Sequence, residues 1–159
     1  MPIQKAVLRL FMDKPNDIVA HAQTGSGKSA AYLLPLIHQI HKIKSQYREG
    51  INRDSPYALV LLPTKELAIQ IYNDAVAFSM GTLTRPVLCY GGYDYQSNRE
   101  DIHKGCDMIF CTVGRLMGLI KDGTINIGKV IYFILDEADK LINTTEDFLV
   151  HVKYLKENM

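Results

Sequence analysis

The chain has 159 residues, 47% hydrophobic and 22% charged, which suits one packed domain and excludes a disordered chain. Its 18 Lys and Arg against 17 Asp and Glu leave a formal charge of +1, so there is no bulk field to hold a polyanion or an anionic membrane, and any nucleic-acid site must be local. No apolar run approaches the ~18 residues of a membrane span and no charged stretch precedes an apolar one at the start, so a soluble, unsecreted protein is expected.

Short apolar runs alternate with longer segments of helical period. The first strand candidate, Ile18 to Ala22, leads into Gln23-Thr24-Gly25-Ser26-Gly27-Lys28-Ser29. From Ser29 to Ile43 the residues Leu33, Leu36, Ile37 and Ile40 keep helical spacing, with Pro35 expected to kink or locally open that helix. Gln46 to Pro56 is polar and reads as a surface loop; Lys42, Lys44, Arg48 and Arg53 make it a solvated basic surface rather than a groove. Tyr57 to Leu62 is a buried strand, and Thr64 is suited to cap a helix running to Phe78. Further strands are expected at Val87 to Tyr90, Met108 to Cys111 and Val130 to Leu135. This alternation predicts an α/β fold, a doubly wound and mostly parallel sheet flanked by helices, spanning residues 1–159. Cys89, Cys106 and Cys111 cannot all pair within one chain, and reduced, buried thiols are the simplest reading. His103 with Cys106 and Cys111 matches no zinc spacing and lacks a fourth ligand, so no structural metal is expected.

Two clusters carry chemistry. Ala22 to Ser29 is a phosphate-binding loop between a strand and a helix. Its small residues let backbone N–H groups curl around phosphates, the helix N-terminus adds partial positive charge, and Lys28 adds a full one. The Ser29 hydroxyl suits Mg²⁺; Ala22 stands where the general pattern has its first glycine. The second cluster, Asp136-Glu137-Ala138-Asp139, follows a buried strand. At the carboxyl end of that strand, beside the end of the first one, Asp136 would help hold Mg²⁺ and Glu137 would orient or deprotonate an attacking water.

With these residues in hand, the sequence resembles the DEAD-box RNA helicases of helicase superfamily 2. The acidic tetrapeptide is that family's namesake. Pro2-Ile3-Gln4 resembles the end of the Q motif, Ala22 to Ser29 motif I, and Pro63-Thr64-Lys65-Glu66-Leu67-Ala68 motif Ia. Gly91-Gly92 resembles the GG motif, Thr112-Val113-Gly114-Arg115 motif Ib, and Asp136 to Asp139 motif II. The stretches around motifs I and Ia are most similar to the Vasa branch. The resemblance implies a RecA-like domain that binds ATP and Mg²⁺, with Gln4 reading the adenine edge because an amide donates and accepts at once. It also implies that Pro63, Thr64, Lys65, Gly91, Gly92, Thr112, Gly114 and Arg115 hold RNA by its backbone, on the face opposite the nucleotide loops and with little sequence preference.

Departures from the pattern set further expectations. Ser29 replaces the usual Thr and keeps the hydroxyl; Lys65 replaces Arg and loses bidentate geometry; Val113 replaces Pro, which puts the stiffness of that turn in question. No aromatic residue upstream of Gln4 is available to stack on adenine, and no Ser-Ala-Thr motif follows Asp139. The chain therefore reads as the first of two RecA-like domains, incomplete at both ends, whose arginine finger comes from a second domain at a cost of ~10³ to 10⁵ in rate when missing. By resemblance it is an ATPase of cytoplasmic location. Two other readings compete: a truncated, non-catalytic module that binds RNA or a helicase partner, and a small-molecule P-loop kinase, which leaves the acidic cluster unexplained.

Overall fold

The computed structural model describes residues 1–13, 17–23, 25–47, 54–143 and 147–159. Among them lie strands β1 (Ala58–Leu61), β2 (Pro86–Cys89), β3 (Met108–Cys111) and β4 (Tyr132–Leu135). The helices are α1 (Pro2–Asp13), α2 (Lys28–Tyr47), α3 (Lys65–Ser79), α4 (Tyr95–His103), α5 (Val113–Lys121), α6 (Ala138–Ile142) and α7 (Phe148–Asn158). The strands pair in parallel in the order β2-β3-β1-β4, with Leu59 opposite Ile109 and Phe133.

Strand alternation divides the core in two. Ala58, Val60, Met108 and Phe110 face one side, where Leu33, Leu36, Ile37 and Ile40 of α2 and Ala68, Ile71 and Ala75 of α3 cover them. Leu59, Leu61, Ile109 and Cys111 face the other, against Ile102 of α4, Leu116 and Leu119 of α5, and Phe148 and Leu155 of α7. Helices on both faces explain why β1 and β3 are buried throughout and carry no polar alternation. The three cysteines are free and buried; loss of solvent pushes the Cys89 thiol up to about 12 and those of Cys106 and Cys111 well above their usual range. They are neutral core groups, and His103 is exposed.

Three expectations are corrected. Residues 18–22 form no strand: they pair with no neighbour, and Val19 is 99% exposed. A short apolar run becomes a strand only where a sheet edge offers it register, and no such pairing joins this one to β4, the edge strand. Helix α2 runs unbroken for 20 residues through Pro35, which is buried, so packing of the apolar face offsets the missing hydrogen bond. Lys44 is not a solvated charge: its ammonium lies 2.7 Å from the Asp107 carboxylate, with side chains only 18% and 5% exposed. Arg48 and Arg53 of the basic stretch lie outside the described residues.

Candidate functional site

The loops carrying Pro63-Thr64, Gly91-Gly92, Thr112 and Asp136 leave the sheet at its carboxyl edge, the usual place for ligands in open α/β sheets. The residue after each of β1, β3 and β4 is pinned by the neighbouring strand: Leu62 N–H donates to Cys111 O (3.0 Å), Thr112 N–H to Cys89 O (3.3 Å) and Asp136 N–H to Leu61 O (3.1 Å). Strand order therefore fixes loop order. Gly91-Gly92, Thr112, Pro63-Thr64 and Asp136 follow one another along that edge, so the glycine turn and the acidic cluster sit at its two ends with the other two loops between.

The phosphate loop is bent by Gly25 (φ +77°) and Gly27 (φ +82°), and Ser26 N–H donates to Gln23 O at 3.2 Å. Thr24 lies outside the described residues. The Lys28 ammonium donates to Ala22 O at 2.7 Å, bringing the two ends of the loop together. Ser26 Oγ is buried with no partner, an orphan donor in a loop whose chemistry suits an anion. Gln4 lies over the loop: its amide Nε2 donates to Gly27 O (3.4 Å), and its Oε1 accepts from the Met1 ammonium (3.1 Å). A Cβ on Gly27 would stand 2.6 Å from Gln4 Nε2 and 2.8 Å from Met1 Sδ, so any larger residue would push those side chains aside, and the φ of +82° itself favours glycine. Beside it opens a cleft of about 470 Å³ lined by Met1, Ile3, Ala6, His21, Ala22 and Ser26. His21, which carries no motif signal, is a ring on that cleft.

The acidic cluster reaches the phosphate-loop helix by a contact absent from any motif. Asp136 Oδ2 accepts from the Tyr32 hydroxyl of α2 (2.9 Å), and Oδ1 accepts from Glu137 N–H (3.0 Å). The first strand that was to bring the clusters together is not formed, and α2 does so instead. Burial, and then the Asp136 charge, push the Tyr32 phenol well above its ordinary value. Glu137 adopts φ 51° and ψ 51°, the left-handed region, alone among the described non-glycine residues; such strain costs ~1 to 3 kcal/mol and gathers at functional sites. Its carboxylate accepts from Lys140 Nζ at 2.7 Å, which raises the Lys140 pKa. Among the described residues no three His, Cys, Asp or Glu side chains gather to hold a metal. The residues are compatible with Mg²⁺ nonetheless, because that ion takes one or two protein oxygens and fills the rest with phosphate and water; Ser29 opens α2, and Asp136 is tied to the same helix through Tyr32.

Along the rest of the edge, in the loop after β1, Thr64 Oγ1 accepts from Leu67 N–H at 3.2 Å and caps α3, and its hydroxyl proton remains to donate. Lys65 is exposed beside Glu66 (3.7 Å). Thr112 stands at the N-cap of α5 with no side-chain cap bond, and Val113 opens that helix from a buried position, so the turn is held without proline. Gly92 (φ +91°) requires glycine, while the space around Gly91 and Gly114 is open. Arg115 is engaged: Nη2 donates to Tyr93 O (2.7 Å), its guanidinium lies 4.8 Å over the Tyr95 ring, and Nη1 has no partner. It ties motif Ib to the glycine turn.

A parallel sheet with a phosphate loop opening α2 and carboxylates at the end of β4 defines a RecA-like α/β domain. The chain belongs to the DEAD/DEAH box helicase family, whose model matches residues 1–159. It is 40% identical over 148 residues to a protein named probable ATP-dependent RNA helicase ddx3 from Dictyostelium discoideum, covering 89% of this chain and 21% of that one. Over 142 residues it is 39% identical to one named probable ATP-dependent RNA helicase DDX4 from Pelophylax lessonae, covering 89% and 20%. These relatives agree with the Vasa-like character of motifs I and Ia. Among solved structures, a DEAD box protein from the hyperthermophile Methanococcus jannaschii superposes with TM-score 0.79 at 33% identity, covering 98% of this chain and 39% of that one. The yeast DEAD-box splicing factor Prp28 gives 0.83 at 26%, covering 99% and 36%. The chain thus spans about a fifth of the length of the curated relatives it matches.

Proposed function

We propose that this chain is the first RecA-like domain of an ATP-dependent RNA helicase, holding Mg²⁺-ATP at the β4 end of the sheet edge and the RNA backbone along the loops after β1, β3 and β2. The observation that carries this reading is the Tyr32–Asp136 hydrogen bond, which sets the acids of motif II against the helix that the phosphate loop opens. The Lys28 ammonium, held at Ala22 O, exchanges that carbonyl for phosphate oxygens, and Ser26 Oγ gains the partner it lacks. Ser29 and Asp136 hold Mg²⁺, which neutralises charge developing on the phosphates. Gln4 and the cleft beside it take the adenine, with His21 and Met1 as the surfaces against its ring. Glu137 leaves Lys140 to orient the attacking water and accept its proton. Thr64, Lys65, the Gly91-Gly92 turn and Thr112 grip phosphate and sugar.

A second RecA-like domain supplies the arginine that stabilises the transition state, and closure of the two domains on ATP separates strands locally. Cytoplasmic location goes with this reading; among the described residues no helix is long and apolar enough to cross a membrane. The test is ATP hydrolysis by the chain with Mg²⁺, with and without single-stranded RNA, before and after addition of a relative's second RecA-like domain. RNA-stimulated turnover is expected on that addition and is lost in Glu137→Gln. Turnover indifferent to Glu137→Gln contradicts the assignment. Nucleotide and RNA binding without turnover in any mixture would favour the non-catalytic module.

A further inference from the structure

Outside the regions already used, the free edge of β2 carries a cleft of about 160 Å³ lined by Tyr72, Arg85, Leu88, Tyr90, Tyr93 and Asp101. We propose that it receives a single unpaired nucleobase from the strand whose backbone the glycine turn and motif Ib hold, an inference that rests on the RNA reading above.

Position is the first argument. Tyr90 directly precedes Gly91 and Tyr93 directly follows Gly92, so the aromatic walls bound the turn that grips the backbone. The Tyr93 carbonyl is also the acceptor for Arg115 Nη2 at 2.7 Å, which couples the cleft to motif Ib.

The walls suit a base. Tyr90 and Tyr93 have ring centroids 5.5 Å apart and planes tilted by 48°, and Tyr72 is held edge-on by Phe110 at 6.3 Å. Tyr93 keeps 39% of its surface exposed. Tyrosine faces stack on unpaired bases of any identity. The polar side is fixed as well: Arg85 Nη1 donates to Asp101 O at 2.7 Å and to Gly105 O, its Nη2 lies 3.9 Å from Asp101 Oδ1, and Lys104 Nζ reaches the same oxygen at 3.1 Å. Asp101, an acceptor only, meets the N–H groups of a base edge.

Size and edge chemistry exclude the obvious rivals. The volume is about half of the ~300 Å³ at which drug-sized pockets begin, room for one ring system and not for a helix. A sheet edge ordinarily invites an added peptide strand. Here Pro86 has no N–H to offer, and the Leu88 carbonyl already accepts from Asn98 Nδ2 at 3.0 Å, so the edge is a poor template for an added strand.

The experiment compares, by fluorescence anisotropy, the binding of the 159-residue chain to a short end-labelled single-stranded RNA and to a base-free ribose-phosphate strand of equal length. The chain is expected to prefer the base-bearing strand by about 5- to 150-fold, the range of one stacked base. Tyr93→Ala should lower that affinity to the base-free level while leaving base-free and ATP binding unchanged, and Tyr93→Phe should keep the preference. Thermal unfolding midpoints verify that both variants fold. Equal affinity of the unaltered chain for the two strands overturns the base slot and leaves the backbone grip standing, as does a preference that survives Tyr93→Ala. Binding to neither strand overturns the RNA reading itself. A proline-rich peptide that binds the cleft in place of any base would assign it to a protein partner and overturn the proposal.

Discussion

Tyr32 and Asp136 are separated by 104 positions, and their 2.9 Å hydrogen bond joins the helix of the phosphate loop to the acidic cluster. The phenol is neutral in folded and unfolded chains below its ordinary value of about 10, and there its contribution is complete. Above that, the unfolded phenol ionises while burial and the Asp136 charge keep the folded one protonated, so stability falls as pH rises. Tyr32→Phe should cost about 1.5 to 3 kcal/mol at neutral pH, the worth of a hydrogen bond to a carboxylate. It should also flatten the loss of stability above about pH 10. Urea unfolding at both pH values measures this; an unchanged alkaline slope would mean that Tyr32 is not the titrating group. The places of Lys28 and Ser29 at the opening of α2 and of Asp136 at the end of β4 were legible in the sequence, because a glycine-rich turn before a helix and a buried apolar run are local patterns. Tyr32 was not, since nothing local distinguishes a core tyrosine from one that binds a distant carboxylate. Nor was the engagement of Arg115 with the Tyr93 carbonyl, or the left-handed backbone of Glu137.

Among the elements, those with local causes were the readable ones. Thr64 capping α3 is an i to i+3 contact, and β1 and β3 betray themselves as apolar runs without alternation. Residues 18–22 have the same composition but no partner strand, and pairing is a property of the sheet rather than of the segment. The tie between α2 and β3 was equally invisible: Asp107, 3% exposed, accepts from Lys44 Nζ at 2.7 Å and from Arg85 N–H at 2.7 Å. Removing its charge leaves Lys44 shielded from water without a counter-ion. Asp107→Asn should therefore destabilise the fold by about 3 kcal/mol, the lower end for a broken buried pair because Lys44 keeps some solvent. A denaturation midpoint that barely moves would show that water already compensates the lysine.

For the molecule as a whole, strand order does the organising. Placing β2 and β4 at opposite edges puts the glycine turn and the acidic cluster at the two ends of one carboxyl edge, with the Thr64 and Thr112 loops between. With a net charge of +1, no bulk field draws in a polyanion, so the nucleotide and RNA proposed above depend on short-range contacts in those loops. The phosphate loop is the most exacting of them, and its occupant can be measured directly. Mg²⁺-ATP titrated into the 159-residue chain in a calorimeter should bind, and Lys28→Ala should weaken that binding at least tenfold, about 1.4 kcal/mol. The same affinity in the two proteins would contradict a nucleotide site at Lys28 and the reading built on it.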